Sequence, residues 1–194
     1  MGGFWTKLKN VVSQGLVIDT LTGGSSWIIV PSPENKSYGT EIELVATPAQ
    51  GLQLLGSATI LKAELGTGAG ADIGSRISGV PTSIANAAAV YSIRGLQLKA
   101  DWHWVDRRPV DVKAGVSLPA YNYFNLGAAY ALPGSGTTIN LDLLNAFQGK
   151  GLEEGNPRLV TTGPVFLARP ILPRRFQVSV SYNLGANGPA QRSQ

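Results

Sequence analysis

Apolar and polar residues alternate along this chain with a period of two, most regularly near its end. Phe176, Val178, Val180, Tyr182 and Leu184 are apolar, and Arg175, Gln177, Ser179, Ser181 and Asn183 between them are polar. A strand so composed has one oily and one wet face. The period returns in Leu96, Leu98, Ala100, Trp102 and Trp104, set against Gln97, Lys99, Asp101 and His103. It returns again in Phe124, Leu126, Ala128, Tyr130 and Leu132 against Tyr123, Asn125, Gly127 and Ala129, and in Ile139, Leu141 and Leu143 against Asn140 and Asp142. Upstream, Phe4 to Gln14 reads as a first strand. Trp27 to Val30 starts a return that Pro31 and Pro33 interrupt, and Tyr38 to Val45 resumes it with Tyr38, Ile42 and Leu44 opposite Glu41 and Glu43. Leu52 to Leu65 and Ile84 to Ile93 complete the set, the former longer than the five or six residues common in soluble strands. The pattern predicts an all-β chain of about eight antiparallel strands.

The connections fall into two classes that alternate. Short turns stand at Pro48 to Gly51, Arg94-Gly95 and Pro133 to Gly136; long loops stand at Asp19 to Ser26, Gly66 to Gly79, Asp106 to Ser117 and Gln148 to Pro173. With up-and-down neighbours this puts every short turn at one end of the sheet and every long loop at the other. Outer-membrane barrels are built so, with short periplasmic turns and long extracellular loops. The strand lengths and the sorted loops together favour a membrane strand over a soluble one.

Composition narrows the choice. The 194 residues are 43% hydrophobic, which excludes wholesale disorder, yet no run approaches the roughly 20 apolar residues of a membrane helix. A membrane placement must therefore use strands. The chain has no cysteine, so disulfides, zinc-thiolate sites and thiol catalysis are out. A net charge of +4, from 16 Lys and Arg against 12 Asp and Glu, is scattered without a basic run and points to no nucleic acid. Met1 to Lys7 contains no apolar signal-peptide core.

Catalytic and metal chemistry find no constellation. The glycine cluster Gly66 to Gly74 lacks the last glycine of a dinucleotide fingerprint, since Ala71 stands there, and no helical period follows it. His103, the sole histidine, sits on a polar strand face with no partner visible at metal-ligand spacing. Glu41 and Glu43 point the same way without a matching acid or pocket. No catalytic residue, metal or cofactor is expected. Trp102 and Trp104, and with them Tyr130, Phe176 and Tyr182, suit a membrane interface, where an aromatic body meets lipid and a polar tip meets water. A Trp-rich core edge is the competing reading.

The succession Ser37 to Leu44, Pro48 to Leu52, Leu118 to Tyr130, Leu141-Asp142-Leu143-Leu144-Asn145-Ala146-Phe147 and Pro173 to Leu184 resembles the C-terminal part of a TonB-dependent outer-membrane receptor. The resemblance runs over nearly the whole chain. Such receptors have a barrel of about 22 strands closed by an N-terminal plug. The resemblance implies a barrel segment over 1–185 and a polar tail over 186–194. It implies an open curved sheet of about eight strands rather than a closed small barrel, with the remaining strands and the plug supplied elsewhere.

The resemblance further implies transport across the outer membrane of a Gram-negative bacterium. Outer-membrane lipid is the surrounding partner, and the TonB complex would be reached only through the plug. The ligand would be a ferric siderophore or a similar scarce molecule. The segment alone would be inactive and is no enzyme. Cations and aromatics in the long loops, Trp27, Arg107, Arg108 and Arg158, are the expected ligand contacts, since an anionic chelate is drawn to them. Two alternatives remain: a self-contained eight-stranded outer-membrane barrel with a structural or adhesion role, and a soluble lipid- or sugar-binding β protein with Trp102 and Trp104 buried inside.

Overall fold

The computed structural model describes residues 1–10, 12–18, 25–31, 34–66, 74–111, 115–160 and 163–184, and within these it describes side chains except at 12–18, 25–31, 111, 156–160 and 163–166. Every element is a strand: β1 (Gly2–Leu8), β2 (Val12–Ile18), β3 (Ser25–Pro31), β4 (Asn35–Ala49), β5 (Leu52–Leu65), β6 (Ser83–Ile93), β7 (Leu96–Val105), β8 (Arg108–Asp111), β9 (Val116–Leu118), β10 (Tyr121–Ala131), β11 (Thr137–Leu144), β12 (Leu152–Val160), β13 (Gly163–Pro170) and β14 (Arg175–Tyr182). Eight of them form one antiparallel sheet in the order β1-β4-β5-β6-β7-β10-β11-β14. β1 and β14 are its two edges and do not pair with each other, so the sheet is open, as the sequence pattern and the resemblance imply.

The remaining strands are hairpins β2-β3, β8-β9 and β12-β13, each a separate two-stranded sheet. All three interrupt the main sheet on the long-loop side, between β1 and β4, β7 and β10, and β11 and β14. Three of the long connections therefore carry short hairpins of their own beyond the sheet. Two sequence expectations change accordingly. The single strand expected over Phe4 to Gln14 is broken near Asn10, whose backbone is left-handed (φ 57°), so that β2 belongs to a different sheet. The segment Gln148 to Pro173, expected to be irregular, contains the β12-β13 hairpin, in which Arg169 lies opposite Glu154.

The short connections are tight. Arg94 and Gly95 both have positive φ (45° and 84°), the requirement of a two-residue type I′ hairpin whose twist matches its strands. This turn locks the register Ile93 opposite Leu96, and with it every pair up to Ile84 and Val105.

Register sorts the side chains into two faces. Leu44, Gly56, Ala87, Trp102 and Phe124 form one cross-strand row; Leu54, Ala89, Ala100, Leu126, Leu143 and Phe176 form another on the same side. Nothing covers this side: Leu44 is 62% exposed, Phe176 67% and Val180 66%. Among the described residues no large side chain is fully enclosed, and the one apolar cluster joins only Val105, Tyr121 and Ile171, with Tyr123 against it. A sheet in water could not leave that area bare, because burying apolar surface is what stabilises a fold. A lipid surround removes the penalty.

Aromatic rings border this bare face at two levels. Trp5, Tyr38, Trp102, Trp104, Phe124 and Phe176 lie toward the long-loop end; Tyr91, Tyr130 and Tyr182 lie toward the short turns. Phe176 and Tyr182 are six residues apart on one strand, roughly 20 Å at ~3.4 Å per residue. At the strand tilt of about 35–45° usual in outer-membrane barrels, that length spans roughly 15 Å of height, which fits inside their ~25 Å apolar band.

Candidate functional site

The opposite face carries the polar chemistry. Glu43, Ser57, Asn86, His103 and Tyr123 stand side by side across β4, β5, β6, β7 and β10, one residue per strand. Asn86 bridges its neighbours: its Nδ2 donates to Ser57 Oγ at 3.2 Å, and its Oδ1 meets His103 Nδ1 in a short hydrogen bond. The His103 ring also packs on Tyr123, with centroids 5.1 Å apart, and Tyr121 stacks on Tyr123 in turn. One row toward the turns, Asn125 Nδ2 donates to Asp101 Oδ2 at 2.7 Å. The groove along Glu43, Ser57, Asn86, Asp101, His103 and Tyr123 has a volume of about 440 Å³. It is a wall of hydrogen-bonding groups; among the described residues no cluster of His, Asp and Glu could hold a metal.

At the long-loop end a second polar network locks the loops onto the sheet. Asn145 is almost completely buried and left-handed (φ 49°), which ends β11. Its backbone N–H donates to Asn125 Oδ1 at 2.9 Å. Its Nδ2 donates to the carbonyls of Gly149 and Leu172, both at 3.0 Å, and its Oδ1 accepts from Gly149 N–H at 2.7 Å. The Asp101-Asn125-Asn145 chain thus reaches from the wall to the base of the β12-β13 hairpin. The resemblance drew attention to Leu141 to Phe147; this satisfied asparagine is the physical content of that segment.

The sequence-expected ligand contacts separate. Arg107 is exposed at the mouth of the sheet, whereas Arg108 is 4% exposed. Arg108 lies over the Tyr121 ring, 5.2 Å from its centroid. Its Nη2 donates to the Glu153 carbonyl at 2.8 Å and, more closely, to that of Leu152. Arg108 therefore joins hairpin β8-β9 to hairpin β12-β13 and has no solvent-facing surface to offer a ligand. The side chains of Trp27 and Arg158 lie outside the described residues. So does most of the glycine cluster, residues 67–73. Trp102 and Trp104 are half-buried on the apolar side, with Trp102 packed at 6.3 Å on Phe124 and Phe147 edge-on to the same ring at 5.4 Å; they are not enclosed in a core, as the soluble alternative requires. Tyr130, Phe176 and Tyr182 are exposed on that same side.

Two carboxylates above the sheet have depressed pKa values. The Thr82 hydroxyl donates to Asp106 Oδ2 at 2.7 Å and is the main cause of the lowering at Asp106; the Arg107 N–H and the Arg76 and Arg107 charges add to it. At the β1-β4 edge, Glu34 is lowered chiefly by its hydrogen bond from Lys7, at 2.8 Å, with Lys36 at 3.6 Å. A carboxyl whose folded pKa lies below its unfolded value stabilises above the unfolded value, near 4, and loses that contribution as pH falls through the folded one. Protection of the amides from Thr82 to Arg107, relative to their intrinsic exchange rates, should therefore fall below about pH 4. Thr82→Val should flatten the acid response there, and an unchanged response would refute the Thr82 hydroxyl as its source.

The comparisons agree with this geometry. A family model described as TonB dependent receptor-like, beta-barrel matches residues 1–146, three quarters of the chain. No curated protein matches. Among solved structures, the ferric preacinetobactin receptor BauA from Acinetobacter baumannii superposes with a TM-score of 0.64 at 20% identity, over 93% of this chain and 26% of that one. The siderophore receptor PiuA from the same organism gives 0.67 at 18% identity, over 92% and 25%. The copper transporter OprC gives 0.72 at 14%, over 93% and 27%. At these identities the likeness concerns the fold, and the chain spans about a quarter of the length of these structures. A receptor-type barrel segment with one face for lipid, one polar face and its long loops at one end is what sequence match and geometry share: the chain belongs to the TonB-dependent receptor-like β-barrel family.

Proposed function

We propose that this chain forms the last eight strands of a TonB-dependent receptor barrel in the outer membrane of a Gram-negative bacterium, and that the receptor imports a ferric siderophore or a similar scarce ligand. The observation that carries the reading is the open sheet: two unpaired edges, β1 and β14, on a sheet with a bare apolar face. Unpaired backbone groups cannot face hydrocarbon, so a membrane sheet of this kind needs further strands to close it. Strands preceding β1 and a plug in the lumen would complete the barrel, and the TonB complex would act through that plug. The polar row Glu43-Ser57-Asn86-His103-Tyr123 then lines the lumen. Of the mouth residues, Arg107 is the exposed cation placed to meet an anionic chelate, with Trp27 and Arg158 as further contacts; Arg108 contributes by holding the loops.

The coding sequence upstream of Met1 tests the reading: an open frame encoding a plug and more strands supports it, and a stop codon close by sinks it. The alternative of a self-contained eight-stranded barrel predicts heat-modifiable migration of the purified chain. The open sheet predicts none.

A further inference from the structure

We infer that Asp101, on the polar wall, is a positioning residue for the mouth: through Asn125 and Asn145 it sets how firmly the β12-β13 hairpin is docked. The inference rests on the proposed reading, in which the polar face lines the lumen, and gives that face a task beyond contact with a ligand.

Donors and acceptors leave each of the two amides one orientation. An ionised carboxylate only accepts, so Asp101 Oδ2, at 2.7 Å, must face the Nδ2 of Asn125, which lies directly across β7 and β10. Asn125 Oδ1 is thereby turned the other way, where it accepts the backbone N–H of Asn145 at 2.9 Å. Asn145 is fixed by the same logic. The Gly149 N–H can only donate, so it takes Oδ1 at 2.7 Å, and Nδ2 is left for the carbonyls of Gly149 and Leu172.

The Asn125 amide is the element with two states. Rotated by half a turn, it would bring Nδ2 against the Asn145 N–H, donor against donor, and the carboxylate of Asp101 disfavours that state from the far side. The stake is high at Asn145. The β10-β11 ladder ends at Leu126 opposite Leu143, so beyond it the N–H of this buried residue is held by a side chain rather than by backbone. A buried donor that loses its acceptor is costly, and bonds linked in a chain strengthen one another.

The two ends of the relay lie in different surroundings. Asp101 is half-buried and lines the 440 Å³ groove of the wall, within reach of whatever enters the lumen. Leu172 lies just after β13, at the base of the hairpin. The Arg108 clamp, by contrast, acts on Leu152 and Glu153 in β12. The hairpin is thus held at its two strands by two separate devices, and only the relay is answerable to the wall.

The test follows amide exchange of the whole chain in nonionic micelles at Asn145, Gly149 and Ile171. Asp101→Ala should speed it about fivefold, with the β5-β6 ladder unchanged. Asn125→Asp sets two carboxylates face to face and should speed it about tenfold. Combining Asp101→Asn with Asn125→Asp moves the amide to β7 and the carboxylate to β10, so that each step again has a donor facing an acceptor. Exchange should then return to within about twofold of the unaltered chain. Asp142→Ala, one row nearer the turns on the same face, should change nothing. A paired variant as fast as Asn125→Asp alone overturns the relay, and so does unaltered exchange in Asp101→Ala. Quenching of Trp102 fluorescence by brominated acyl chains tests the membrane placement separately. Quenching retained with the relay absent refutes the relay alone, and no quenching refutes the lumen reading as well.

Discussion

Arg108→Ala is expected to loosen the β12-β13 hairpin from the β8-β9 hairpin while leaving the eight-stranded sheet and the Asn145 anchorage intact. The guanidinium links the two hairpins: it sits on Tyr121 and donates to the carbonyls of Leu152 and Glu153. Hydrogen bonds from a charged donor are worth about 1.5–3 kcal/mol each, and truncation leaves two carbonyls to find water. A docking loss of about 2–3 kcal/mol raises local opening roughly 30- to 150-fold. Amide exchange in β12 and β13 should accelerate by that factor, with the β10-β7 ladder unchanged. Arg108→Lys should recover only part of it, since an ammonium cannot present the same fork. Uniform exchange across the variants would show that the hairpin is held by other contacts. In a complete receptor, Arg107→Ala should instead weaken ligand binding without altering exchange, because Arg107 is exposed and Arg108 is not.

Leu141→Arg should destabilise the sheet in micelles by about 2–4 kcal/mol, whereas Ser179→Arg should cost about 0–1 kcal/mol. Leu141 lies between Ala128 and Val178 on the bare face, midway between the two aromatic levels. A charge there would sit at the depth of greatest penalty. Ser179 is next to Val178 in sequence but opposite Asn140 on the polar face, where an arginine stays hydrated. Urea titration of both variants measures the difference. Equal costs would mean that the two faces do not see different solvents, and the lipid assignment would fail.

Strand positions were largely legible because alternation is a local property: one slip would move every side chain of a strand to the other face. Leu52 to Leu65 could be read to the residue, and the sorting of short turns from long loops needed nothing but glycine, proline and length. The break at Asn10 was hidden, since Leu8 and Val12 stand at strand spacing on either side of it while the backbone between them turns left-handed. The β12-β13 hairpin was hidden for another reason: prolines and charges obscure its period, and its pairing is decided by a partner strand.

The site divides the same way. Alternation alone assigns His103 to the polar face and Trp102 to the apolar one. It cannot say that Asn86 is the residue beside His103, because that depends on the register set by the Arg94-Gly95 turn across two strands. Arg107 and Arg108 are indistinguishable as letters. Only the packing of Tyr121 and the approach of Leu152 and Glu153, more than forty residues later, bury one and leave the other in water. The sequence by itself determined an all-β chain with one face for lipid and one for water, because period and turn chemistry act between near neighbours. The tertiary structure decided which polar groups meet, which loops are clamped and which cations remain free, because those depend on residues brought together from distant parts of the chain.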